Sequence, residues 1–106
     1  MERYPSTRFS AIGWGFLTKH SQALLHIAGE PDTRLRSIGT AIGVTERTAH
    51  GIVADLVDAG YVVKEKDGRR NRYHIQMHLP LHDSTARERT IGEMVELLAD
   101  IGVSDI

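Results

Sequence analysis

The densest group of positive charge in the chain surrounds a single glycine. Residues 66–72 read KDGRRNR and hold four basic side chains, those of Lys66, Arg69, Arg70 and Arg72. Like charges placed close together on paired strands lower stability, so formation of a hairpin gives no reason for so many of them. We expect these four side chains to contact the backbone or the minor groove of a nucleic acid.

A second polar group stands about 20 residues earlier, at the start of an amphipathic segment. In this group we expect four residues to face the edges of DNA bases: Glu46, Arg47, His50 and Gly51. Arginine is well suited to this, because its guanidinium can pair with O6 and N7 of guanine. Thr45 and Thr48 would hydrogen-bond phosphate where the backbone N–H groups of a helix N-terminus also point outward. Arg36, in the preceding segment, is a further candidate for phosphate contact.

Residues 34–56 must position this second group, and they predict two helices joined by a tight turn. Gly43 would end the first helix in a left-handed conformation, and Thr45 would cap the second. Gly39 lies where only a small residue lets the two helices cross closely. The buried face of the second helix is predicted at Ala49, Ile52, Val53 and Leu56. This is a helix-turn-helix pattern, with the recognition helix second.

The flanking segments predict a small hairpin and two further helices. A strand at 61–66 and a returning strand at 69–76 are joined by the turn signal Asp67-Gly68. The first helix is expected from Thr18 to about Ala28, followed by a link at 32–34 that is long enough for a minor strand. The last helix is predicted to begin at about Ser84 or Thr85 and to stop at Gly102. The fold class is therefore mainly α with a small β-hairpin, a three-helix core plus wing and an additional C-terminal helix.

This order predicts an N-terminal arm at 1–15, a DNA-binding domain at 16–79, and a linker with a dimerisation helix at 80–106. The last helix is more apolar than a lone surface helix requires. Trp14 is more suited to filling a core or a dimer seam than to contacting a ligand. The residues expected at the dimer interface are Trp14, Ile91, Met94, Val95, Leu98 and Ile101.

Composition and charge agree with one small domain that binds an anionic partner. The net charge of the 106 residues is −1, but residues 34–72 carry eight basic and five acidic side chains, a net charge of +3. Residues 83–106 carry two arginines and six acids, a net charge of −4. The chain has no cysteine, no apolar run that could span a bilayer and no signal-peptide pattern. We expect no membrane association and a cytoplasmic location.

The sequence contains no pattern that indicates a metal site or an enzyme active site. His74, His78 and His82 are four residues apart, but they lie on a predicted strand and a proline-containing linker, so a helical ligand spacing has no meaning there. His20 and His26 fall on roughly opposite faces of the first helix. No nucleophile elbow, phosphate-binding loop or HExxH motif occurs. We therefore expect no metal site, no cofactor and no enzymatic activity.

The predicted order of elements resembles that of the winged helix-turn-helix transcriptional regulators, of a small single-domain MarR/ArsR-like type. The resemblance covers about residues 16 to 81 and is carried by residues 35–48, 52–62 and 68–73, most specifically by the pattern LxxAGYVVxxxxGRRNRY. It implies a homodimer whose recognition helices read half-sites on double-stranded DNA. The chain departs from full-length MarR proteins in lacking long flanking helices, and from many ArsR sensors in lacking their cysteine motif.

Two functions are consistent with these residues. The first is a homodimeric, sequence-specific regulator, taken as a repressor, with a recognition helix at 46–59 and a wing at 66–72. The second is a winged-helix module that binds a protein and not DNA, since fold alone does not decide function. Regulation by a small molecule or a metal would be a refinement of the first. The aromatic and aliphatic content of the Trp14 arm and the C-terminal helix makes an apolar gap between them, in the dimer, the expected location of a small-molecule effector.

Overall fold

The computed structural model describes residues 14–86 and 88–99 of the chain. These residues contain four α-helices and one antiparallel β-hairpin. In chain order they are α1 (Lys19–Gly29), α2 (Leu35–Ile42), α3 (Glu46–Asp58), β1 (Val62–Asp67), β2 (Arg70–Ile75) and α4 (Ile91–Leu98). The predicted fold class is confirmed. Most of the predicted arm and Ile101 lie outside the described residues.

The core lies where α1, α2 and α3 meet, and the base of the hairpin and α4 extend it. The predicted buried face of α3 is confirmed, since Ala49, Ile52, Val53 and Leu56 are all buried. Val62 and Tyr73 connect the hairpin to this core, and burial raises the pKa of Tyr73. The hairpin is therefore fixed to the helices at its base, while its turn extends beyond them.

The turn between α2 and α3 has the backbone that the sequence predicts. Gly43 has a φ of 78° and ends α2, where Lys19 Nζ donates to the Ile42 carbonyl oxygen at 2.6 Å. A positive charge at this position is favourable because the C-terminus of a helix is the negative end of its dipole. Thr45 caps α3 by accepting a hydrogen bond from the Thr48 N–H. These contacts fix the angle at which α3 leaves the turn.

Gly39 allows the two helices to approach closely, as predicted. A Cβ added there would lie 2.8 Å from the Val44 carbonyl oxygen, closer than real Cβ atoms come to backbone atoms. We expect Gly39→Val to lower the free energy of unfolding by about 1–3 kcal/mol, because the turn must move to admit the side chain. At Gly51, which has no neighbour within 4 Å of such an atom, Gly51→Val should change it by less than about 0.5 kcal/mol. Urea denaturation of both variants measures the difference.

The hairpin turn lies one residue later than its sequence signal indicates. Strand pairing runs from Val62 opposite Ile75 to Asp67 opposite Arg70, so Gly68 and Arg69 are the two turn residues. Gly68 has a φ of 68°, whereas Arg69 is not among the described residues with positive φ. A type II′ turn needs positive φ only at its first central residue, and this requirement places Gly68 first. The prediction of Asp67-Gly68 as the turn pair was therefore wrong by one position, and the shift places Arg69 at the tip.

The last helix begins later than predicted. Its N-cap is Thr90, whose hydroxyl accepts from the Glu93 N–H while the Glu93 carboxylate accepts from the Thr90 N–H, a reciprocal capping box. The hydrogen bond that the Glu93 carboxylate accepts from the Thr90 N–H, and a second from Arg89, lower the pKa of Glu93. A start at Ser84 or Thr85 was wrong, because the Asp83 carboxylate accepts hydrogen bonds from Thr85 and stabilises a turn there. The predicted stop at Gly102 lies outside the described residues.

The segment between α1 and α2 does not form the minor strand that its length would allow. It makes one backbone hydrogen bond to β2, from the Tyr73 N–H to the Pro31 carbonyl oxygen at 3.0 Å. Thr33 is buried in this link, and its hydroxyl is 2.9 Å from His26 Nε2. The link therefore lies along the outer edge of the hairpin without joining the sheet.

Candidate nucleic-acid interface

The first two turns of α3 present an exposed polar face. Glu46, Arg47, His50 and Gly51 are all exposed, on the side of the helix opposite its buried residues. The buried positions recur every three or four residues, so the intervening positions must face outward. The four residues predicted to face base edges thus share one accessible surface.

The two threonines at the start of α3 differ in what their hydroxyl groups can do. Thr45 Oγ1 accepts from the Thr48 N–H and donates to Thr48 Oγ1, both at 3.1 Å. The proton of the Thr45 hydroxyl is therefore used within the helix cap. Thr48 accepts that proton, which leaves its own hydroxyl proton available for an external acceptor such as a phosphate oxygen.

An ion pair connects α2 to α3 across the turn. Arg36 Nε lies 3.8 Å from Glu46 Oε1, and both side chains are largely exposed. A long, exposed pair of this kind contributes little to stability. The structure thus brings a predicted phosphate contact, Arg36, next to a predicted base contact, Glu46.

A groove of about 550 Å³ separates the wing turn from the start of α2. Arginines line it from both sides: Arg34 and Arg36 belong to the helix-turn-helix, and Arg69 and Arg70 to the wing. Glu46 also lines the groove, which is therefore continuous with the exposed face of α3. The sequence did not predict Arg34 as part of the site, because its place in the groove depends on how the wing packs.

The four basic residues of the wing are not equivalent. Arg72 Nη1 lies 2.6 Å from Asp32 Oδ1, and Arg70 Nη2 lies 3.4 Å from the Asp32 carbonyl oxygen. Lys66 and Arg69 are exposed and have no ion-pair partner among residues 14–86 and 88–99. Lys66 and Arg69 are thus fully available to solvent, Arg70 is exposed but also contacts the link between α1 and α2, and Arg72 forms an ion pair with that link.

The histidines of the described segments do not converge. His20 Nε2 lies 2.7 Å from Asp55 Oδ2, and His74 Nε2 lies 2.6 Å from Glu65 Oε1. Within residues 14–86 and 88–99, no group of three or more histidine, aspartate or glutamate side chains could hold a metal ion. Each of these histidine contacts instead joins two neighbouring elements.

The residues predicted at a dimer interface fall into two groups. Ile91 and Val95 are buried in the core of the chain itself, and Met94 is partly buried against it. Trp14 and Leu98 are exposed. Among the described residues, the two most exposed large apolar side chains are Phe16 at 89% and Leu97 at 83%, and neither was among the predicted residues. Their presence in an apolar N-terminal segment and an apolar helix was the only sequence signal for them.

No helix within the described residues is long and apolar enough to cross a membrane. In the described segment before α1, the rings of Trp14 and Phe16 contact each other edge to face, with their centroids 5.0 Å apart.

Comparison with known proteins places this fold in a family. The model of the MarR family matches residues 14–72, more than half of the chain. A MarR family protein of Mycobacterium tuberculosis, solved in complex with salicylic acid, is 18% identical with a TM-score of 0.50, over 94% of this chain and 67% of that one. The PcaV transcriptional regulator from Streptomyces coelicolor, solved with its natural ligand, is 18% identical with a TM-score of 0.49, over 95% and 77% of the two chains.

No curated protein matches the chain. The Mycobacterium tuberculosis structure is too distant in sequence to show more than the fold, which is a winged helix with a helix-turn-helix, a two-stranded wing and a following helix. The match of the family model begins before α1 and ends within β2. The chain belongs to the MarR family of winged-helix regulators.

Proposed function

We propose that the protein is a homodimeric, sequence-specific repressor that binds double-stranded DNA in the cytoplasm. The single observation that carries the proposal is the groove in which Glu46 of the recognition helix and Arg69 and Arg70 of the wing line one surface. A duplex seated on α3 would bring its backbone against these arginines. Repression needs no more than occupation of the operator. MarR-family transcription regulators are generally not enzymes, and the proposal includes no catalytic step.

The contacts divide according to what each group can recognise. In this proposal α3 enters the major groove, with Arg47 and His50 on base edges and Glu46 and Gly51 beside them. Arg36, Thr45 and Thr48 approach the backbone at the start of the helix, where Thr48 has the hydroxyl proton that is available to a phosphate oxygen. Lys66, Arg69 and Arg70 bind phosphates along the wing, where they set register without reading sequence.

A protein-binding role for α3 is less well supported. The large apolar side chains that are exposed among the described residues are Trp14, Phe16, Val63, Met77, Leu97 and Leu98, and none of them lies on α3. Protein interfaces are usually centred on aromatic or apolar anchors. An exposed helix face made of charged and small residues instead favours a polar, charged partner such as DNA.

Binding to duplex DNA at increasing salt tests the proposal. A dimer that neutralises about six to ten phosphates should lose roughly a thousandfold in affinity or more between ~50 and ~200 mM salt. The probe is a pool of genomic fragments, followed by fluorescence anisotropy on the fragments that bind. The absence of binding, or binding that does not change with salt, would exclude this function. Retention of a protein partner at high salt would favour the alternative.

The dimer is proposed to form through the exposed apolar residues at the two ends of the described chain. Leu98 and Trp14 remain candidates, joined by Leu97 and Phe16. Ile91 and Val95 would contribute indirectly, by packing α4 against α1.

The paired change Leu97→Glu with Leu98→Glu tests this interface. It should shift the protein from dimer to monomer in analytical ultracentrifugation, because two charges would be desolvated in the interface. Val63→Glu, which alters an exposed apolar residue of the wing, is the matched control and should leave the dimer intact. A Leu97/Leu98 variant that stays folded and fully dimeric would place the interface elsewhere.

A further inference from the structure

The link between α1 and α2 contacts the wing at one acidic residue. Asp32 Oδ1 lies 2.6 Å from Arg72 Nη1, and its carbonyl oxygen lies 3.4 Å from Arg70 Nη2. Next to it, the Pro31 carbonyl oxygen accepts a hydrogen bond from the Tyr73 N–H. Three of the four wing residues at 70–73 are thus held against two consecutive link residues. We call this set of contacts the wing tether.

Electrostatics alone gives no reason for an acid at this position. Asp32 lines the groove that Arg34, Arg36, Arg69 and Arg70 make positive, and a carboxylate there repels a phosphate backbone. The ion pair also contributes little to stability, since its two side chains are about half exposed. A geometric role accounts for its presence, because Val62 and Tyr73 are the buried residues of the hairpin and residues 63–70, which form its outer part, are all exposed.

We propose that Asp32 is a positioning residue for DNA binding, and that Arg72 is its anchor and not a phosphate contact. The tether holds β2 at a fixed angle to α2, so that Arg69 and Lys66 at the tip face the same duplex as α3. This inference rests on the proposed DNA-binding function. It changes the prediction made from the sequence, which placed Arg72 on the DNA backbone with the other basic residues of the wing.

The direction in which Asp32→Ala changes the affinity for DNA distinguishes a positioning role from simple charge repulsion. Asp32→Ala removes a negative charge near the DNA and would tighten binding if charge were all that mattered. If the tether positions the wing, Asp32→Ala should weaken binding by up to about fivefold per protomer, the worth of an exposed ion pair. Asp67→Asn is the matched control, since Asp67 is an exposed acid of the same hairpin with no ion pair among the described residues. It should tighten binding.

The Arg72→Ala variant tests the wing tether by a second measurement, the dependence of affinity on salt. This test remains possible even if the Asp32→Ala variant does not fold. Loss of a phosphate contact lowers the slope of log affinity against log salt by about 0.9 per contact, as we expect for Arg69→Ala. Arg72→Ala should lower the affinity and leave the slope unchanged. The double variant of Asp32 and Arg72 should bind no more weakly than either single variant, because both remove one interaction. The charge exchange Asp32→Arg with Arg72→Asp should recover part of the affinity.

All of these affinities and salt slopes can be measured by fluorescence anisotropy. The full chain is titrated onto a DNA fragment that the wild type binds. Weaker binding by Asp32→Ala, with an unchanged slope for Arg72→Ala, supports the tether. Tighter or unchanged binding by Asp32→Ala, or a slope reduced by Arg72→Ala as by Arg69→Ala, overturns it. Failure of the wild type to bind DNA is a different result, which would remove the proposed function itself.

Discussion

Replacing Arg47 with alanine is expected to abolish the preference of the protein for one base pair in each half-site. Arg47 is exposed in the first turn of α3 and has no ion pair among the described residues. A bidentate arginine–guanine contact is worth about 1–3 kcal/mol of discrimination against the wrong base. The loss should therefore reach roughly tenfold to a hundredfold per half-site, and it should be confined to the contacted position.

Affinities for a set of operators with single base changes would measure this effect. The wild type should bind one base pair at that position best, and Arg47→Ala should bind all four about equally. Arg34→Ala is the matched control, because Arg34 is an exposed arginine in the groove but outside the polar face of α3. It should weaken binding to every sequence by a similar factor. An Arg47→Ala variant that keeps the wild-type preferences would remove Arg47 from the base-reading surface.

The paired substitution Arg69→Ala with Arg70→Ala should have the largest effect on the dependence of binding on salt. Both side chains line the groove beside α2, and Arg69 is at the tip of the type II′ turn. In a dimer the two changes would remove about four phosphate contacts, so that the slope of log affinity against log salt should fall by about 3.6. Relative preferences among sequences should stay the same, because phosphate contacts do not read bases.

Titrations at four or five salt concentrations on one operator give this slope. Arg89→Ala provides the control, since Arg89 is an arginine that pairs with Glu93 at the start of α4 and does not line the groove. Its slope should match that of the wild type. If the Arg69 and Arg70 variant retained the full slope, the wing would not be the part of the protein that neutralises the backbone.

The sequence was sufficient wherever a feature depends on a few neighbouring residues. Gly43 ends α2 and Thr45 caps α3 because each acts on the backbone within four residues of itself. The period of the apolar residues in α3 placed its buried face, and the exposure of Arg47 and His50 followed from it. The capping box of Thr90 and Glu93 was equally local. The predicted start at Ser84 or Thr85 was nevertheless too early, because the hydrogen bonds between Asp83 and Thr85 stabilise a turn there.

Features that depend on packing between distant segments could not be read from the pattern. The contact of Asp32 with Arg72 joins residues 40 positions apart, and nothing in the link identifies it as the partner of a wing arginine. Ile91 and Val95 have the same apolar character as Leu97 and Leu98, but the rotation of α4 against α1 buries the first two and exposes the others. The division of basic residues into anchors and available cations therefore required the structure.

Selection of bound sequences from random duplex DNA is the most direct test of the central claim, that two copies of α3 read DNA side by side. The expected product is a pseudo-palindromic consensus whose half-site centres are about 10 base pairs apart, one helical turn. The position lost on selection with Arg47→Ala should lie inside each half-site. A consensus without two-fold symmetry would contradict the dimer, and a pool with no enriched sequence would contradict specific DNA binding.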